Sequence, residues 1–167
     1  TDEAGNFIHE NRQKPFFLYF SHYAVHTPLQ AKKAMIRKYE AIPKTERQGN
    51  VTYAAMVESV DESVGRVMKK LDELNLSGKT LVIFTSDNGF FCGSHGYGSK
   101  VLPYEESTNV PLIIFDPRHA SSGKKLRSDA LTANVDMAPT ILDLAGLKVP
   151  AEMDGVSLLL IWGRWIL

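Results

Sequence analysis

Leu81-Val82-Ile83-Phe84-Thr85-Ser86-Asp87-Asn88-Gly89 is the stretch that decides the fold. Its first four residues are apolar without a break and its last five are polar or glycine. A short apolar run bounded by a turn signal predicts a buried strand. Upstream, from about Val51 to Leu74, the residues Tyr53, Met56, Val57, Val60, Val64, Val67, Met68, Leu71 and Leu74 recur at three- and four-residue steps. That spacing predicts a long one-sided helix, with Asn50 as its N-cap and Gly78 in the turn beyond it. Downstream, Pro111-Leu112-Ile113-Ile114-Phe115 predicts another strand. Phe16-Phe17-Leu18-Tyr19-Phe20, after Pro15, predicts a third. Ala31 to Glu40 reads as a short helix ended near Pro43, and Val135 to Ala145 as a helix stopped by Gly146. Fully apolar strands alternating with helices predict an α/β fold, a mixed sheet flanked by helices and covered on both faces. The strands near 16–21, 81–85 and 111–115 are expected in one sheet, with the 51–74 helix packed across it.

The chain has 167 residues, enough for one domain with a real core. It is 44% hydrophobic and 23% charged, with a formal net charge of zero. The balance gives no support for a nucleic-acid partner, which normally shows as a basic excess. Cys92 is the single cysteine, so neither an intrachain disulfide nor a Cys-rich metal cluster can form. No Lys or Arg lies within a few residues of it to activate the thiol, and we read it as structural. No basic-then-apolar leader follows Thr1, so no signal peptide is visible. The longest apolar run, Leu158 to Trp162, falls far short of the roughly 18 residues a membrane span needs.

In open α/β sheets, ligands bind beyond the carboxyl ends of the strands. Past the first apolar run stand His22 and His26, in Ser21-His22-Tyr23-Ala24-Val25-His26-Thr27-Pro28. Past the second stand Asp87 and Asn88, then His95 and Lys100. A carboxylate beside a carboxamide offers hard oxygens suited to Ca²⁺ or Mg²⁺. The same tetrapeptide also reads as an Asn-Gly turn with a solvated Asp. His26 can give a proton to a leaving group near neutral pH, or be a structural loop histidine. His22, nearer the strand, reads as a core or supporting residue. Lys100 follows the glycine-rich Gly93-Ser94-His95-Gly96-Tyr97-Gly98. It can meet an anion as a point charge, or be a surface lysine. Asp136 opens a helix pattern and reads as an N-cap.

Taken in order, these strings resemble the sulfatases of the alkaline phosphatase-like superfamily. The set comprises Phe16 to Phe20 leading to His26-Thr27-Pro28, and Phe84-Thr85-Ser86-Asp87-Asn88-Gly89. Next come Gly93-Ser94-His95-Gly96, Lys100, Tyr104-Glu105-Glu106-Ser107 and Val110-Pro111-Leu112-Ile113-Ile114. Asn134 to Gly146 and Asp154-Gly155-Val156-Ser157-Leu158 close it. An ordered set is far more specific than any one string. The resemblance implies a partial alkaline phosphatase-like sandwich and a sulfuric ester hydrolase. It implies that Asp87 and Asn88 are metal ligands, for Ca²⁺ with Mg²⁺ as the alternative. His26 matches the histidine near the leaving-group oxygen. Lys100 matches the lysine that contacts sulfate and that oxygen, and His95 a histidine some members place near the sulfate. A sulfated small molecule or glycan is the implied partner. A periplasmic, extracellular or lysosomal setting fits the resemblance, and the sequence does not choose among them.

The sequence also departs from the pattern. Sulfatases make a formylglycine from Cys or Ser in a Cys/Ser-x-Pro/Ala-x-Arg motif, and no such string occurs here. The resemblance implies that residues 1–159 are the C-terminal portion of a catalytic domain. The nucleophile and two further aspartate ligands are then expected upstream of Thr1. Residues 160–167 read as an atypical apolar tail. An unpaired sheet edge would favour self-association. Two other readings stay open: a phosphate or phosphonate ester hydrolase of the same superfamily, and a non-catalytic remnant.

Overall fold

The computed structural model describes residues 1–46, 49–100, 102–119, 122–124 and 126–159. The tail at 160–167 lies outside the described residues. Two compact units are present, Thr1–Pro117 and the residues from Arg118 onward.

The first unit is built on α3, Val51–Glu73, as the apolar spacing predicts. Asn50 caps it: its side chain accepts from the Tyr53 N–H at 3.0 Å, satisfying one of the helix's orphan donors. At the other end Asn75 takes a left-handed φ of 54°. Its N–H reaches the Asp72 carbonyl at 3.0 Å, and the Leu76 N–H reaches Leu71 at 2.8 Å. This is a Schellman stop, and it drives Leu76 back onto Leu71 in the core. Around Ile8, Leu71 and Leu76 pack Phe7, Phe16, Leu18, Val67, Met68, Leu74 and Val82.

Ile8 comes from α1, Asp2–Asn11, an element the sequence reading did not assign. Its signals were present: Ala4 and Ile8 at helical spacing, both buried, and acidic Asp2 and Glu3 in the first turn. Helix α2, Lys33–Glu40, packs on α3 through buried Met35, whose sulfur accepts from the Ser59 hydroxyl at 3.1 Å. The pairs Lys32–Glu62, exposed, and Lys38–Glu58, with a half-buried Glu58, link the same two helices.

Strand β1, Val82–Thr85, pairs antiparallel with β4, Leu112–Phe115, with Thr85 opposite Leu112. A second short pair joins β2, Phe91–Cys92, to β3, Gly98–Ser99. The expectation of one sheet holding 16–21, 81–85 and 111–115 needs correcting. Residues 16–20 join no ladder among the described residues. Phe16 and Leu18 point into the core while Phe17 and Tyr19 are exposed. Nor are both sheet faces covered: Ile113 on β4 is 60% exposed. An apolar run reports that its side chains seek burial; it does not say that this chain supplies the cover.

In the second unit a 3₁₀ turn, Asn134–Asp136, runs into α5, Met137–Leu144. Gly146, at φ 71°, stops it as predicted, with Leu147 N–H on Leu142 at 2.9 Å. Asp136 stands at the N-cap of α5, as expected, without a side-chain bond to that helix. Its carboxylate accepts from the Ala133 N–H at 2.8 Å and the Val156 N–H at 2.9 Å. With Thr140 Oγ1 accepting from the Leu158 N–H at 2.8 Å, it fastens the Asp154–Leu158 segment onto α5.

Candidate functional site

The carboxyl end of β1 delivers Ser86, Asp87 and Asn88 into a turn that ties itself together. The Ser86 hydroxyl donates to the Asn88 carbonyl at 2.8 Å, and Asp87 Oδ1 accepts from the Asn88 N–H at 2.9 Å. Asn88 Nδ2 donates to the Gly89 carbonyl at 2.7 Å. The Asn-Gly turn exists, and Asp87 and Asn88 both stand in it.

Helix α4, Glu105–Thr108, holds this turn from the other side. The Gly89 N–H donates to the Ser107 carbonyl at 2.9 Å. Ser107 is buried, and its hydroxyl donates to the carbonyls of Leu102 and Tyr104. Phe90, next along, stacks on Tyr53 at 5.5 Å, so the first turn of α3 also braces the loop. Burial raises the Tyr53 phenol above its ordinary pKa.

The same α4 turn reaches His95. Glu106 Oε1 lies 3.0 Å from His95 Nε2, and the His95 ring stacks on Tyr104 at 5.0 Å. Buried Phe91 meets His95, Tyr97 and Tyr104 edge-on at 6.4, 6.0 and 5.7 Å. Asp87-Asn88-Gly89 and His95 are thus fastened to one four-residue helix. Lys100 is half-buried and lies one residue past the Phe91–Ser99 pair. Its amine makes no ion pair among the described residues.

His26 is held within its own loop. Its Nδ1–H donates to the Thr27 carbonyl at 2.8 Å, and the Tyr23 hydroxyl donates to the same oxygen at 3.1 Å. With Nδ1 committed, Nε2 is the atom left to exchange a proton. No hydrogen bond or ion pair described here links His26 to the Asp87 turn. His22 meets the Phe20 ring at 4.4 Å, tilted by 53°, and its buried Nε2 has no hydrogen-bond partner among the described residues; desolvation lowers its pKa. That agrees with a supporting role rather than an acid at the surface.

The sequence reading did not single out Glu106 as a partner of His95. Eleven residues separate them, and no local pattern marks a pair brought together by a hairpin and a turn.

Among the described residues no three His, Cys, Asp or Glu side chains gather closely enough to hold a metal. The donor chemistry of Asp87 and Asn88 fits a hard divalent cation, but a Ca²⁺ shell takes about six to eight oxygens. These two can be part of such a shell only. No helix among the described residues is long and apolar enough to cross a membrane.

A sequence model of the Sulfatase family matches residues 1–147. The N-acetylglucosamine-6-O-sulfatase of Bacteroides thetaiotaomicron is 43% identical over 106 residues, 64% of this chain and 19% of that protein. The crystal structure of Ps i-CgsB in complex with k-i-k-neocarrahexaose is 33% identical with a TM-score of 0.78, covering 98% of this chain and 37% of that one. The phosphonate monoester hydrolase of Agrobacterium radiobacter is 33% identical with a TM-score of 0.60, covering 65% of this chain and 21% of that one. The chain thus spans between a fifth and two fifths of the length of these relatives. Its α/β architecture is that of a partial domain of these proteins, as the sequence reading expected. Sulfatases generally use a formylglycine and a divalent metal ion. By the family match across residues 1–147, this chain belongs to the sulfatase family.

Proposed function

We propose that this chain carries the leaving-group side of a sulfate-ester hydrolase site, formed by His26, Asp87, Asn88, His95 and Lys100, within residues 1–159. The observation that carries the proposal is the α4 turn, which fixes the Asp87-Asn88 loop and His95 together at the carboxyl end of β1. Protonated His26 gives its Nε2 proton to the departing alcohol oxygen as the S–O bond breaks. General acids of this kind are worth roughly 10²–10⁴ in rate. Lys100 meets the negative charge that grows on the sulfate and on that oxygen, an interaction strongest in the transition state. His95 binds a sulfate oxygen. Asp87 and Asn88 would hold part of a Ca²⁺ shell, with Mg²⁺ as the alternative, and that cation supplies charge neutralisation when bound. The likeness to an N-acetylglucosamine-6-O-sulfatase favours a sulfated glycan as substrate.

A second reading has its own support. The likeness to a phosphonate monoester hydrolase supports a phosphonate ester as the alternative substrate class. Turnover by the complete gene product that carries these residues separates the two. We expect kcat/KM for an aryl sulfate to exceed that for the matching phenylphosphonate ester. The reverse order assigns the chain to phosphonate chemistry, and absence of turnover on both marks a non-catalytic product.

A further inference from the structure

We propose that Glu106 is a positioning residue that acts through His95, holding its imidazole in one orientation beside the Asp87-Asn88 loop. The proposal rests on the reading of His95 as a sulfate-side group.

The backbone gives the first reason. His95 sits at φ 56°, between Gly93 at 107° and Gly96 at 76°. In a left-handed turn of this kind glycine is the unstrained choice, and the turn uses it on both sides. A histidine kept at a left-handed position between them indicates that its side chain is needed there.

The ring's surroundings give the second. One face of His95 lies on Tyr104, with 25° between the planes, and its edge contact with Phe91 rests on a residue only 1% exposed. Stacking fixes the plane of the ring but leaves it free to turn over within that plane. The Glu106 carboxylate removes this freedom by accepting from Nε2–H, and so leaves Nδ1 as the nitrogen offered to a ligand.

Glu106 can do this because its own turn cannot drift. Its carbonyl oxygen would stand 2.0 Å from a β-carbon on residue 89, so the two backbones touch where glycine allows it. The Gly89 N–H bond to Ser107 then locks them. His95 is in this way registered to the turn that presents Asp87 and Asn88. A bare ion pair would do little here, because both side chains are substantially exposed and such pairs add little stability. Orientation is the contribution that remains.

Two measurements test the proposal. The first is NMR of the His95 ring protons in the chain itself. Stacking on Tyr104 should shift them upfield. We expect Glu106→Ala to average the ring over its two in-plane orientations, so that the Hδ2 and Hε1 shifts change relative to one another, and Glu106→Gln, which keeps an acceptor, to leave them in place. Identical shifts in Glu106→Ala overturn the proposal. The second is a double-mutant cycle on aryl sulfate turnover by the complete gene product. Glu106→Ala should lower kcat/KM by about 10–100-fold, the range for partners that orient a functional histidine. Its melting midpoint should not change. Added to His95→Ala, it should cost almost nothing more. Losses that multiply show that Glu106 does not act through His95. Ring shifts as expected in a protein without sulfate-ester turnover would leave the positioning intact and refute only the functional reading.

Discussion

A β-carbon on Gly89 would stand 2.0 Å from the Glu106 carbonyl oxygen, whereas one on Gly65, inside α3, would meet nothing within 4 Å. The two glycines therefore answer the same substitution with opposite signs. Gly89→Ala must push two backbones apart and should cost about 1–3 kcal/mol, as overpacking does. Gly65→Ala should add up to about 1 kcal/mol of helix stability. Urea denaturation reads both. His22 adds a pH effect. Its folded pKa is depressed because Nε2 is buried and no acceptor faces it. Below about pH 6.5 the unfolded chain therefore takes up a proton that the folded chain resists. Stability should fall as pH drops from about 6.5 toward the depressed folded value, and His22→Gln should flatten that part of the profile. The same acid slope in His22→Gln would clear His22 of the effect.

Among the elements, α3 was the most legible. Its apolar spacing located it, and Asn50 marked its start. Asn50→Ala should cost about 1 kcal/mol, because the Tyr53 N–H loses its acceptor; thermal unfolding that leaves the midpoint unmoved would show that the cap is not needed. Strands β1 and β4 and helix α5 were legible for similar reasons: short apolar runs, and a glycine where the helix must stop. Helix α1 was missed, since ten polar-rich residues with two buried positions give a thin pattern. Phe16 to Phe20 was read as a sheet strand because β-propensity reports side chains, not partners. Its alternate residues pack, but pairing depends on what lies alongside. Of the proposed site, Asp87, Asn88, His95 and Lys100 could be named from their places after apolar runs. The Glu106–His95 pair could not, because it exists only once β2, β3 and α4 have folded.

At the scale of the molecule, the exposed apolar surface is the main feature. Phe17 and Tyr19 are 63% and 80% exposed on a segment that joins no ladder among the described residues, and Ile113 is exposed on β4. Apolar side chains on unpaired extended backbone recruit other chains. Size-exclusion chromatography of the 167-residue chain at micromolar concentration should show dimers or larger species, and a clean monomer would contradict this. Catalysis is a separate matter from folding. The chain contains no Cys/Ser-x-Pro/Ala-x-Arg string, so these residues alone are expected to turn over no sulfate ester. The central claim, that they form the leaving-group side of the site, is tested most directly by aryl sulfate kcat/KM in the complete gene product with His26→Ala and Lys100→Ala. The account predicts a fall of at least about 10²-fold for each, the lower end expected for a general acid or an oxyanion partner, with the fold retained. Turnover within a few-fold of the unmodified protein for both variants would contradict it.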